Sequence, residues 1–187
     1  MPTRTRLVDT PLGPARLIVD GARSAYASLV LGHGAGGGAG ARDLAALAAA
    51  LPSEGITVIR VEQPWRVAGK KVPPAPATLD RGWLAALSSL KTSERRGRLV
   101  LGGRSAGARV ACRTARTLSA AGVVALAFPL HPPGRPERSR ADELLGAGVP
   151  TVVVKGARDS VGHPDNLHAV AHGKVPVTGA DHGIAVP

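Results

Sequence analysis

Residues 98–107 read Arg98-Leu-Val-Leu-Gly-Gly-Arg-Ser-Ala-Gly107, and this stretch decides the fold. The apolar run Leu99–Leu101 predicts a strand, and the alanine-rich pattern Ala106–Ala121 predicts a helix directly after it. Between them lies a Gly-x-Ser-x-Gly sequence centred on Ser105. A sharp strand-to-helix turn of this kind lifts the serine Oγ above the sheet, and its two glycines avoid side-chain clashes. The alternative is a glycine-rich turn in which Ser105 only caps the helix.

Apolar runs and helical patterns alternate along the whole chain. The predicted strands are Leu17–Val19, Ser28–Leu31, Ile56–Val61, Leu99–Leu101, Val123–Phe128, Thr151–Val154 and, more weakly, Lys174–Val177. The predicted helices are Arg42–Leu51, Thr78–Leu90, Ala106–Ala121, Ser139–Leu145 and Asn166–Ala171. This alternation predicts an α/β fold: a doubly wound, mostly parallel sheet of six to seven strands with helices on both faces.

The length of 187 residues fits one domain over residues 1–187, and no separate lid domain fits in it. Aromatic residues make up only 2% of the chain, so the core must be built from Val, Leu, Ile and Ala. Two proline-rich segments, 64–76 and 129–136, follow strand ends and are predicted to be surface loops. Any cover over a site at the strand ends must come from these loops.

The formal charge of +11 raises the question of a nucleic-acid partner. The basic residues are spread along the chain and are not interleaved with aromatic side chains that stack on bases. We therefore expect a solvated basic surface and no nucleic-acid partner. The single cysteine, Cys112, lies in an apolar helical pattern and is expected to be a small core residue. The first 15 residues do not resemble a signal peptide, and no run is apolar enough to span a membrane, so a soluble cytoplasmic protein is expected.

A glycine-rich loop, residues 32–38, follows the predicted strand Ser28–Leu31. In a hydrolase, such a loop supplies one backbone N–H of an oxyanion hole, and the residue after the nucleophile supplies the other. These donors are expected to be Ala35 and Ala106. The same loop also fits the Gly-x-Gly-x-x-Gly dinucleotide fingerprint, with Glu62 as the acid that binds the ribose. Against this alternative, the bulky His33 would lie in the tight turn under the pyrophosphate.

A general base and its acidic partner follow later, in the order that the hydrolase fold requires. Asp159 lies just beyond the strand Thr151–Val154, and His182 lies in a loop after the weaker strand Lys174–Val177. His182 is expected to accept the Ser105 proton, and Asp159 to orient the imidazole ring. Alternatively, Asp159 only caps its loop. Asp165 and Asp181 are weaker candidates for the acid.

Several other residues are expected near the site. His33, Gly34, Arg104 and His131 are expected to line the substrate pocket, with His33 bracing the glycine loop. Arg104, Arg109 and Arg135 would favour an acidic substrate. Three further histidines, His163, His168 and His172, have the loose spacing of a metal site, but a solvated helix face is the favoured interpretation. Neither a metal nor a cofactor is predicted.

Five segments together resemble the small dienelactone-hydrolase-like α/β hydrolases. They begin at Leu31 (LGHGAGG), Gly102 (GGRSAGAR), Phe128 (FPLHPPGRP), Lys155 (KGARD) and Ala180 (ADHG). More narrowly, they resemble a bacterial branch related to the hydrolase-like domain of a chromatin-complex subunit. The likeness spans roughly residues 27–185 and implies a doubly wound sheet and a Ser105–Asp159–His182 triad.

One departure from the family concerns the C-terminus. The sequence ends five residues after His182, where the family usually continues into a helix. We therefore expect His182 to lie near a frayed end. The expected function is hydrolysis of a small ester or thioester through an acyl-Ser105 intermediate. The alternative is a hydrolase-like scaffold that binds a partner protein and turns over little.

Overall fold

The computed structural model describes residues 2–163, 165, 172–182 and 184, and its centre is an eight-stranded sheet. The strands are β1 (Arg4–Val8), β2 (Ala15–Asp20), β3 (Ala27–Gly32), β4 (Ile56–Glu62), β5 (Arg98–Arg104), β6 (Gly122–Leu126), β7 (Thr151–Gly156) and β8 (Gly173–Val177). Their order across the sheet is β1-β2-β4-β3-β5-β6-β7-β8. All pairs from β4 to β8 are parallel, whereas β2 pairs antiparallel with both β1 and β4. The prediction of a doubly wound, mostly parallel sheet is confirmed.

The strand β1 is the strand that the sequence pattern did not predict. Four of its five side chains are exposed or half-buried, and only Val8 is buried. An edge strand of this kind carries no continuous apolar run, and such a run is the signal of a strand covered on both faces. The buried strand β3 shows the contrast, because all six of its residues are buried.

The helices cover both faces of the sheet. They are α1 (Arg42–Ala50), α2 (Pro64–Val67), α3 (Pro76–Ser88), α4 (Ala106–Thr114) and α5 (Ala141–Leu145), with 3-10 turns at Gly38–Gly40 and Leu51–Glu54. Trp83 of α3 and Val110 of α4 share one core with Val30 of β3. On the other face, Leu44 of α1 packs in a second core with Leu31. Alternate residues of β3 therefore point into the two cores, as expected for a central strand.

Two elements differ most from the sequence prediction. The start of the predicted loop 64–76 is the short helix α2, because Pro64 has a backbone angle suited to a first helical position and Trp65 is buried. Helix α4 ends at Thr114, where the predicted helix ran to Ala121; turns follow, and Ala121 N–H already donates to Leu99 O. The predicted helix Asn166–Ala171 lies outside the described residues.

The sheet brings its strand ends to one edge. Because β3 to β8 run parallel, the residues that follow Gly32, Arg104, Gly156 and Val177 emerge on the same side. This edge carries the glycine loop, Ser105, Asp159 and His182. None of the helices within the described residues is long and apolar enough to cross a membrane.

Candidate active site

The turn between β5 and α4 holds Ser105 in a rare backbone conformation. Its φ is 51° and its ψ is −107°, and its N–H donates to Leu126 O of the neighbouring strand at 2.9 Å. A non-glycine residue held in such a region typically costs about 1–3 kcal/mol and persists only where the surroundings impose it. The Ser105 side chain makes no capping hydrogen bond to helix α4, so the alternative of a simple helix cap is wrong.

The two glycines around Ser105 are required by the close approach of the glycine loop. A Cβ at Gly107 would lie 2.2 Å from Gly32 O, and one at Gly103 would lie 2.5 Å from the same oxygen. Gly103 also has a φ of 155°, which side chains rarely adopt. The end of β3 is thereby packed directly against the serine turn, and a Cβ at Gly34 would lie 3.5 Å from the Ser105 Cβ.

Ser105, His182 and Asp159 form one chain of hydrogen bonds. Ser105 Oγ lies 3.1 Å from His182 Nε2, and His182 Nδ1 lies 2.9 Å from Asp159 Oδ2. An ionised carboxylate only accepts hydrogen bonds, so the ring carries its proton on Nδ1, and Nε2 is free to accept the serine hydroxyl proton. The structure thus brings the three predicted residues together in the order Ser105, His182, Asp159.

The Asp159 carboxylate is fully buried and has three hydrogen-bond partners. Burial opposes its ionisation, but hydrogen bonds from His182, Lys155 and Val161 N–H, together with the Lys155 charge, outweigh that effect and lower its pKa to about 2. The carboxylate is therefore ionised at neutral pH. The contact with Lys155 (Nζ to Oδ2, 2.7 Å) was not foreseen from the sequence. A lysine at the end of an otherwise apolar run, four residues before Asp159, was the available signal.

The loop that carries His182 is attached to the acid loop at several points. Arg158 N–H donates to Ala180 O at 2.8 Å, and Ala180 is fully buried. A Cβ at Gly156 would lie 2.3 Å from Asp181 O, so the two loops are in direct backbone contact. These contacts and the bond to Asp159 join His182 to the acid loop; residues 183 and 185–187, at the end predicted to fray, lie outside the described residues.

Arg104 makes different contacts from those expected of a substrate-binding residue. Its Nη2 donates to the His182 carbonyl oxygen at 3.3 Å, and its Nε lies 3.4 Å from Asp43 Oδ2. Arg109 is paired with Glu143 through two short hydrogen bonds. Both guanidinium groups are thus paired within the protein, which weakens the expectation that they select an acidic substrate. Arg135 is exposed on the 129–136 loop.

His33 braces the glycine loop, as expected. Gln63 N–H donates to its Nε2 at 3.1 Å, so the ring proton is on Nδ1, which donates to Gly34 O at 2.8 Å. Burial lowers the pKa of His33, so the ring is neutral at neutral pH. In the described part of the chain, no hydrogen bond uses the N–H of Ala35 or Ala106. Both predicted oxyanion donors are therefore available to a ligand.

The structure argues against the dinucleotide alternative. In that motif the last glycine opens a helix whose N-terminus binds the pyrophosphate. Here Gly37 precedes a 3-10 turn, and helix α1 begins only at Arg42. The carboxylate expected to bind the ribose, Glu62, is instead hydrogen-bonded to Arg16.

The remaining candidates lie apart from the Ser105 chain. His131 Nδ1 bonds to the neighbouring Pro132 O, and no described contact joins it to Ser105, Asp159 or His182. Asp165 pairs with His163, and His172 Nδ1 accepts from Thr151 N–H. His168 lies outside the described residues, so the metal-site alternative has two of its three histidines placed, each with a different partner.

Comparisons with known proteins agree with this architecture. The profile of the family described as "Alpha/beta hydrolase domain" matches residues 25–186. No curated protein sequence matches the chain.

Among solved structures, an α/β serine hydrolase without lid from Xanthomonas campestris is 20% identical, with a TM-score of 0.73 over 98% of this chain and 88% of the other. An α/β serine hydrolase homologue from Coxiella burnetii is also 20% identical, with a TM-score of 0.77 over 97% and 90%. Est1E from Butyrivibrio proteoclasticus is 12% identical, with a TM-score of 0.78 over 96% and 90%.

At these identities the solved structures establish the fold, and the family profile spans most of the chain. The fold is the α/β hydrolase fold, which supports hydrolase activity. The chain therefore belongs to the α/β hydrolase family.

Proposed function

We propose that the chain is a serine hydrolase that cleaves a small ester or thioester through an acyl-Ser105 intermediate. The observation that carries the proposal is the pair of hydrogen bonds that joins Ser105 Oγ to His182 Nε2 at 3.1 Å and His182 Nδ1 to Asp159 Oδ2 at 2.9 Å. Nucleophile, base and orienting acid lie within the distances that this chemistry needs without any rearrangement.

The geometry supports a two-step acyl transfer. His182 Nε2 takes the hydroxyl proton while Ser105 Oγ attacks the carbonyl carbon, and the resulting oxyanion accepts hydrogen bonds from the N–H groups of Ala35 and Ala106. The tetrahedral intermediate expels the alcohol or thiol, which receives the proton from His182. Water then repeats the sequence on the acyl-Ser105 ester and releases the acid. Asp159 stays ionised throughout and stabilises the imidazolium, consistent with its pKa of about 2.

A small cavity lies behind the serine turn. A cavity of about 10 Å³ lies next to Ala106 and is bounded also by His33, Trp65 and Val110. This volume is close to that of a single water-sized group. The cavity is therefore too small to be the acyl site itself, and the substrate pocket expected around His33, Gly34 and His131 stays a prediction.

Fluorophosphonate labelling tests the proposal. The wild-type chain should be labelled, and Ser105→Ala should abolish the labelling while leaving the fold intact. Ser88→Ala is the matched control, because Ser88 is exposed and its hydroxyl bonds only to Ala85 O of its own helix. Hydrolysis of acetyl and butyryl esters and of the matching thioesters then defines the acyl and leaving groups.

A folded wild-type chain without Ser105-dependent labelling would contradict the proposal and favour the scaffold that binds a partner protein. The same protein should show no saturable binding of NAD or NADP, since Glu62 is engaged by Arg16. Weak and steeply salt-dependent binding to DNA would follow from the charge alone and would not support a nucleic-acid function.

A further inference from the structure

Lys155 is a buried, charged residue that contacts the Ser105–His182–Asp159 hydrogen-bond chain at Asp159. Its side chain is 1% exposed, and its Nζ donates to Phe128 O and to Asp159 Oδ2, each at 2.7 Å. Desolvation of a buried ammonium is costly unless close partners compensate for it. Both partners lie at the strand ends that carry the site, one after β6 and one after β7.

The position of the Lys155 contact on the carboxylate is specific. Asp159 Oδ1 accepts from Val161 N–H at 2.9 Å, whereas Oδ2 accepts from both Lys155 Nζ and His182 Nδ1. The ammonium thus donates to the same oxygen as the imidazole. It fixes the carboxylate orientation by tying Asp159 to Phe128 O, and it places a positive charge beside the negative charge that faces His182.

This arrangement has an electrostatic consequence for the imidazolium. A lone buried carboxylate stabilises an adjacent imidazolium strongly, because few other charges screen it. A carboxylate already paired with an ammonium stabilises it less. Among the described residues, the other charged groups near His182 are Arg104 on the serine turn, Asp43 next to Arg104 on α1, and the adjacent Asp181. Arg158 on the acid loop is exposed. These groups are the same whether or not position 155 is charged.

We infer that Lys155 is a positioning residue of the Ser105 site, which orients the Asp159 carboxylate for His182 and offsets the carboxylate charge that faces the imidazole ring. This inference rests on the proposed hydrolase function. It assigns to Lys155 an effect that reaches the reaction only through Asp159 and His182.

Two substitutions separate orientation from charge. Lys155→Gln keeps a hydrogen-bond donor near Asp159 and Phe128 O but removes the charge, whereas Lys155→Met removes both. In Lys155→Gln we expect the acid limb of the pH–rate profile to move to higher pH by about one unit, because the uncompensated carboxylate favours the imidazolium. In Lys155→Met we expect the same displacement and a kcat loss of about tenfold, with KM nearly unchanged, because the carboxylate also loses its fixed orientation. Lys71→Gln, at an exposed lysine, is the matched control and should change neither quantity.

The pH profile distinguishes this role from a merely structural one. Loss of structure lowers the active fraction, measured by fluorophosphonate titration, but does not move the pH profile of the molecules that stay active. Folded variants with the wild-type pH profile and wild-type kcat per labelled site would overturn the inference. If the wild-type chain is not labelled at Ser105 at all, the proposed function fails instead.

A measurement on the wild-type chain covers the case in which the variants do not fold. The ¹⁵N resonance of the Lys155 ammonium should be visible and slow to exchange, because the group is buried. It should change in step with protonation of the His182 ring, since both groups share Asp159 Oδ2. An ammonium resonance that does not respond to that protonation would overturn the inference, whatever the activity of the chain.

Discussion

The guanidinium of Arg104 lies 3.3 Å from the carbonyl oxygen of His182, although the two residues are 78 positions apart. Arg104 immediately precedes Ser105, so this contact joins the serine turn to the histidine loop. Its Nε also lies 3.4 Å from Asp43 Oδ2 on helix α1. The serine turn, the histidine loop and the start of helix α1 are thereby joined through one side chain.

Arg104→Met should lower kcat by about tenfold and leave KM nearly unchanged, because a looser histidine loop places Nε2 less accurately on Ser105 Oγ. Asp43→Asn should have a smaller effect in the same direction. The measurement is steady-state hydrolysis of an activated ester, with Arg81→Met, at an exposed arginine of helix α3, as the control. Wild-type kcat in a folded Arg104→Met protein would show that the other loop contacts suffice to hold His182.

Gly107→Ala should destabilise the fold by about 3 kcal/mol, since the added methyl group would overlap Gly32 O and force the glycine loop away from the serine turn. Gly40→Ala is the matched control, because nothing lies within 4 Å of a Cβ at that position. Urea denaturation measures the free energy of unfolding of both variants. Equal stabilities would mean that the loop and the turn separate easily, and the packing argument for the two glycines would fail.

Cys112 should be inert to alkylation in the folded protein. Burial, with a smaller contribution from Glu143, raises the pKa of its thiol to about 12, so almost no thiolate is present at pH 8. Iodoacetamide should therefore leave the proposed hydrolase activity unchanged and should modify Cys112 only in denaturant. Rapid modification of the folded chain, detected by mass spectrometry, would contradict the core position of helix α4.

The positions of Ser105, Asp159 and His182 were predictable from the sequence because each follows a run of apolar residues. Parallel strands bring such positions to one edge regardless of their distance along the chain. The order of strands within the sheet was not encoded by any local pattern, and the contacts that depend on it were not foreseen. Lys155 reaches Phe128 O only because β6 and β7 are neighbours.

The edge strand β1 and the helix α2 show a second limit. Hydrophobic periodicity marks elements that are buried on a regular face, and β1 has mostly exposed side chains. Helix α2 is a single turn within a proline-rich segment, where proline at a first helical position and proline in a loop give the same sequence signal.

The Asp159 carboxylate should make stability depend on pH. Its folded-state pKa of about 2 is below the ordinary value of 3.8, so its ionised form favours the folded state. The resulting stability, about 2 kcal/mol, is present above pH 4 and is lost as the pH falls through the folded-state pKa near 2.

Asp159→Asn should remove this dependence of stability on pH. It also leaves Lys155 buried without its counter-charge, so the variant should be less stable at every pH. The measurement is the free energy of unfolding from pH 5 to pH 2.5 for both proteins. Arginine partners also lower the pKa values of Glu94 and Glu143, against the effect of burial. If the variant loses stability on acidification as steeply as the wild type, such other carboxylates account for the acid sensitivity.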